Sequence, residues 1–148
     1  MDIVTWANEQ AELIRAGCLS ELDLENIAEE IEDVGKSEKY EIANRMAVLI
    51  CHLLKWEHQL DYRGSSWIST IHDQRERIEL RLKKSPSLRL FIADDDWRMR
   101  DAYLDGKQQA STETGISNAD FPSECPWITE QIMDHTFFLG VPYDKTKP

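Results

Sequence analysis

The feature that most constrains this chain is an apolar stripe that runs from Leu24 to Leu60 without losing helical phase. At 100° per residue measured from Ile31, Leu24, Ile27, Ala28, Val34, Ile42, Met46, Leu49, Leu53, Trp56 and Leu60 fall within about 60° of one line. Gly35 interrupts the letters but not the phase. A true break resets the phase, so the pattern predicts one helix over about 24–59, with Asp23 as its cap. The glycine is tolerated there at about 1 kcal/mol relative to alanine. Because Gly35 lies on the stripe, its missing side chain invites a close neighbour. If the first helix, about Ile3 to Ala16, folds back about the link near residue 20, Trp6 arrives opposite residue 34. The expectation is an indole resting on Gly35.

From about Ala43 onward the long helix is apolar on a second face as well, through Ala47, Ile50 and Leu54, so it is expected to be the central, most buried element. Ser66 is placed to cap a third helix, about Trp67 to Lys84. Ser85 and Pro86 then form a cap followed by proline at the first helical position, and a fourth helix is expected to run to about Ser111. Its inward residues are Leu88, Phe91, Ile92, Met99, Ala102 and Tyr103. After the loop "STETGISNADFP", the stretch "ECPWITEQIMD" is expected to form a short helix. An irregular tail follows, with Phe137, Phe138 and Leu139 as candidate anchors. The fold class is therefore all-α: a single-domain up-down bundle over residues 1–148, with four main helices, one long and central, plus a short C-terminal helix.

At 148 residues the chain is long enough to build one core without disulfides or metal. Its three cysteines, Cys18, Cys51 and Cys125, are odd in number and suit free thiols in a reducing cytoplasm. The longest apolar run, Met46 to Leu54, holds His52 and is far short of a membrane span. A formal net charge of -11 argues against nucleic acid as a partner, although residues 63–100 carry 6 acids and 9 bases. Neither self-association nor a protein partner is fixed by these features.

Three polar residues sit along the edge of the core stripe at a spacing of seven: Glu38, Arg45 and His52. A charge buried alone costs several kcal/mol, so this ridge must find partners, solvent in a cleft or a ligand. Folding the third helix back about residue 63 sets His52 level with Gln74 and Arg75, Arg45 near Arg81, and Glu38 toward Arg89; Asp95 is a further acid on an apolar line. Trp56 faces inward beside His52, whereas Lys55 and His58 are expected to point elsewhere. The candidate set is thus Glu38, Arg45, His52, Trp56, Gln74 and Arg75. It reads either as an internal fastener that fixes helix register or as a polar cleft for a small ligand, with His52 as acid or base and Arg75 as anion anchor.

No Glu-x-x-His occurs, and none of His52, His58, His72 and His135 pairs with another at helical spacing, so neither a metal nor any other cofactor is expected. The acids of "ENIAEEIED" diverge around their helix and read as a solvated face. Cys51 and His52 point about 100° apart, which is no nucleophile pair. No phosphate-binding glycine loop or Cys-x-x-Cys is present.

Six ordered phrases, "WANEQAELIRAG", "LDLENIAEEIEDVGKSE", "LICHLLKWEHQ", "SSWISTIHDQR", "SPSLR" and "FPSECPWITEQIMD", resemble the bacterial family catalogued as domain of unknown function 29. The similarity covers about Trp6 to Asp134. It implies a small all-helical bacterial protein, and among its recurring letters are Glu38, His52, Lys55, Trp56, Gln74, Arg75 and the Cys125, Pro126, Trp127 trio. It carries no activity, cofactor or substrate to transfer. The leading expectation is a protein-binding or regulatory bundle with the polar ridge as fastener; the alternative is a small-ligand binder or enzyme using that ridge as a cleft.

Overall fold

The computed structural model describes residues 2–93 and 97–137. Among them every regular element is helical: α1 (Ile3–Arg15), α2 (Leu24–His58), α3 (Ser65–Lys84), α4 (Leu88–Ala93), α5 (Trp97–Thr114) and α6 (Thr129–Met133). The protein is an all-α helical bundle. Helix α2 passes through Gly35 without interruption, as the phase of its stripe requires. By contacts the chain divides into two compact units, residues 1–38 and 39–148.

In the first unit Asp2 caps α1, its carboxylate accepting the backbone N–H groups of Val4 at 3.0 Å and Thr5 at 3.3 Å. The Thr5 backbone bond is the main reason that this carboxyl titrates below its usual range. Gly17, with φ at +75°, supplies the left-handed residue that ends the helix. Trp6 and Gln10 then reach the start of α2, where the indole N–H donates to the Asp23 carboxylate at 3.0 Å and the Gln10 carbonyl accepts the Asp23 N–H at 2.8 Å. The indole therefore sits at residue 23 and not on Gly35, where an added Cβ meets nothing within 4 Å. The reason is chemical: a Trp N–H wants an acceptor when it packs, and Asp23 offers one.

The second unit is built on residues 39–58 of α2, which hold the buried run Ile42 to Trp56. Ile71, Ile78 and Leu82 of α3, Leu88, Phe91 and Ile92 of α4, Ala102, Tyr103 and Ala110 of α5, and Ile132 of α6 close over it. Gly106 lets α5 lie against α2, since a Cβ there would stand 2.7 Å from the Ala47 carbonyl oxygen. Thr129 ties α6 to α4 through its hydroxyl, 2.9 Å from the Ile92 carbonyl.

Several boundaries differ from the sequence expectation. Helix α3 opens one residue before Ser66, with Gly64 at the cap position, so Ser66 lies in the first turn. The expected fourth helix is described as α4 and α5, and it extends past Ser111 to Thr114, where Gly115 at φ +76° takes the left-handed position. Asp95, Phe138 and Leu139 lie outside the described residues. Phe137 is half-buried and packs against the core.

Candidate functional site

Arg45 and His52 of α2 meet partners different from those that the fold-back register predicts. Arg45 donates from Nη1 to the Gln74 side-chain oxygen at 3.4 Å, and its Nη2 lies 3.0 Å from Glu41 Oε1. Arg81 of α3 reaches the same carboxylate oxygen at 3.3 Å. Two arginines on facing helices thus share Glu41, an acid outside the apolar stripe. Arg45 does stand near Arg81 as expected, but it, and not His52, meets Gln74. Glu38 is half-buried at the end of the first unit.

Two turns beyond Arg45 along α2, His52 is half-buried and its Nδ1 lies 2.9 Å from the Val48 carbonyl, the i-4 position of its own helix. That bond sets Nδ1 as the protonated nitrogen of the neutral ring. Burial lowers the pKa of His52 below its ordinary value; the Val48 bond opposes this and the charge of Lys55 adds to it.

Lys55 points away from the ridge, yet it is enclosed. It is 9% exposed, bonds Glu113 of α5 at 2.6 Å and stands 5.0 Å from the Trp67 ring centroid. At about -120° from Ile31 it lies beyond both apolar faces of α2, on a side where Glu113 of α5 and Trp67 of α3 meet it. The Lys55 hydrogen bond is what chiefly holds Glu113 below its usual carboxyl range. The same carboxylate is 3.6 Å from Cys51 Sγ. Burial, with Glu113 nearby, pushes the Cys51 thiol up to about 12, which leaves it unionised near neutrality and a poor nucleophile.

Arg75 is fully buried and fastens the C-terminal segment. Its Nε donates to the Ile132 carbonyl at 2.7 Å and its Nη2 to the Phe137 carbonyl at 3.0 Å. Burial brings its pKa down to about 10, countered by Asp134 and Glu79, so the guanidinium remains charged at neutral pH. Trp56 is buried, as expected, beneath Arg63, whose guanidinium stands 4.9 Å from the ring centroid and donates to the Trp56 carbonyl at 2.6 Å.

Helical spacing could not reveal one further cluster. His72 and His135 meet across the fold with Nδ1 atoms 3.3 Å apart, and His135 Nε2 lies 3.2 Å from Glu79. Among the described residues no group of three or more His, Cys, Asp or Glu side chains is placed to hold a metal ion. A cleft of about 660 Å³ lies elsewhere in the second unit, against Tyr103, Cys125, Trp127 and Ile132. Neither His52 nor Arg75 lines it. Burial raises the Cys125 thiol and takes the Tyr103 phenol up to about 12.

Chemically, then, Arg45 is engaged by Gln74 and Glu41, His52 by the Val48 carbonyl, and Arg75 by the Ile132 and Phe137 carbonyls. No helix among the described residues is long and apolar enough to cross a membrane. No curated protein and no solved structure matches the chain. The family model described as domain of unknown function DUF29 matches residues 1–138, and the chain belongs to that family.

Proposed function

We propose that this chain acts by binding another protein, as an interaction or regulatory module, with the polar ridge serving as an internal fastener. The observation that carries this reading is the uneven fate of one stripe. Ile31 and Val34 are 67% and 68% exposed, whereas Ile42, in phase with them on the same helix, is fully buried. An apolar line that continues outward from a core without cover marks a contact surface. The small-ligand reading at His52 and Arg75 has less behind it, because Arg75 is enclosed and its Nε and Nη2 donate to the Ile132 and Phe137 carbonyls.

The test is photo-crosslinking in cells with a photoreactive residue placed at 34, with position 90 as reference, since Leu90 is a 76% exposed apolar residue of the second unit. A discrete adduct with another polypeptide from position 34, absent from position 90, is the expected result. Equal, diffuse labelling from both positions would end the reading.

A further inference from the structure

The charge of this protein is not spread over it. Residues 1–38 contain 11 acids and 2 bases, a net of -9, while the other 110 residues contain 17 acids and 15 bases, a net of -2. Almost all of the formal charge therefore belongs to the first unit. That unit is also the one without a core: α1 has no buried residue, and on α2 burial begins only at Ile42. What α1 covers is the start of α2, where Trp6 and Gln10 engage Asp23. Leu24, Ile31 and Val34 are left at 66%, 67% and 68% exposure.

These residues form a line. Measured from Ile31 at 100° per residue, Leu24 lies at about 20° and Val34 at about -60°, while Glu30 and Glu32 flank them at about -100° and +100°. The result is a narrow apolar stripe about 15 Å long with carboxylates on both borders.

We infer that the exposed stripe Leu24, Ile31, Val34 of the first unit docks a basic amphipathic helix, whose apolar side meets the stripe and whose Lys or Arg residues meet the flanking acids. The inference rests on the protein-binding reading above and names the chemistry of its partner. A helix in an apolar groove buries the stripe through residues at i, i+3, i+4 and i+7, which is how helical targets are commonly held. Charge decides between occupants. A second copy of this chain would bring one net -9 surface against another, and like charges facing across an interface cost affinity and association rate. A cationic partner reverses that sign and is steered inward.

The experiment uses the full chain and three synthetic peptides of about 18 residues, long enough to span the stripe as a helix. One repeats Leu and Lys with amphipathic helical spacing, one has the same composition in scrambled order, and one replaces every Lys by Glu. The amphipathic Leu/Lys peptide is expected to bind at low salt, to weaken as salt is added, and to protect the amides around residues 24–34 from hydrogen exchange. Ile31→Ser with Val34→Ser, both at exposed positions, should cost at least about tenfold in affinity, and Glu30→Gln with Glu32→Gln should lower affinity and flatten the salt dependence.

Equal binding of the scrambled peptide, or an unchanged affinity in the Ile31, Val34 double variant, would reduce the effect to unspecific charge and overturn the inference. Binding of the Leu/Glu peptide as tightly as the Leu/Lys one would do the same. A dimer seen by sedimentation and abolished by Ile31→Ser would assign the stripe to a second copy and overturn it too. An acidic protein crosslinked at residue 34 would leave the protein-binding reading standing and end this one alone.

Discussion

Gly106 of α5 rests against the Ala47 carbonyl of α2 so closely that a methyl group in place of its hydrogen would stand 2.7 Å from that oxygen and 3.0 Å from Ile50. The obstacle is backbone, which cannot rotate away as a side chain can. Gly106→Ala is therefore expected to destabilise the protein by about 1–2 kcal/mol, the cost of overpacking less the helix propensity that alanine restores. Urea unfolding followed by circular dichroism reads this directly. An unchanged midpoint would mean that α2 and α5 part without loss.

Gly35→Ala should do the opposite. Gly35 is inside α2, and the space that a Cβ would enter is open. Alanine there removes the backbone entropy of glycine and should stabilise the helix by about 0.5–1 kcal/mol. A loss of stability in the same urea titration would imply a neighbour seated on Gly35 in solution.

These two glycines show what could be read from the letters alone. The winding of α2 and its central burial were legible, because helical phase is a local property that survives a single glycine. Which glycine marks the close helix contact was not, since Gly35 and Gly106 differ only in what tertiary folding brings opposite them. Arg45, His52 and Arg75 were legible as polar residues on inward faces, but their partners, Glu41 and the carbonyls of Val48, Ile132 and Phe137, were not. Periodicity gives the direction in which a side chain leaves its own helix; it contains nothing about the register of the next one. The enclosure of Lys55 was not legible for the same reason, because only the crossing of α5 turns that side of α2 into interior. The meeting of His72 with His135 joins residues far apart in sequence, which no spacing rule reaches.

Arg75→Met should release the C-terminal segment. The substitution keeps an apolar stem but strands the Ile132 and Phe137 carbonyls, each of which then lacks its guanidinium donor. A destabilisation of about 3 kcal/mol is expected from the lost charge-assisted bonds and the desolvated acceptors. Hydrogen exchange should accelerate first around residues 129–137. Arg75→Lys should recover little, since one ammonium cannot span two carbonyls as the planar fork does.

Thiol labelling separates the three cysteines. Cys51 is buried and its thiol is raised to about 12, and Cys125 is raised by burial as well, whereas Cys18 is half-exposed in the turn after α1. In the folded protein at pH 8, Cys18 should react with a disulfide reagent at least about tenfold faster than the other two. Cys51 labelling should follow the opening of the second unit and speed up in urea. Rapid labelling of Cys51 without denaturant would contradict its packing against α5.

The last expectation concerns pH. Burial holds the folded-state pKa of His52 below the value of about 6.5 that it takes in an unfolded chain. As pH falls through that value the unfolded state binds a proton first, so the contribution of His52 to stability is complete above about 6.5 and declines as pH drops toward its folded-state pKa. His52→Gln should remove this portion of the slope while leaving stability above neutrality less affected. Denaturation midpoints of the two proteins between pH 7.5 and about 5 test it, and an NMR titration of the ring gives the folded pKa independently. A ring titrating above the unfolded value would invert the sign, with stability gained on acidification, and would mean that Glu113 and the Val48 carbonyl outweigh burial and the charge of Lys55.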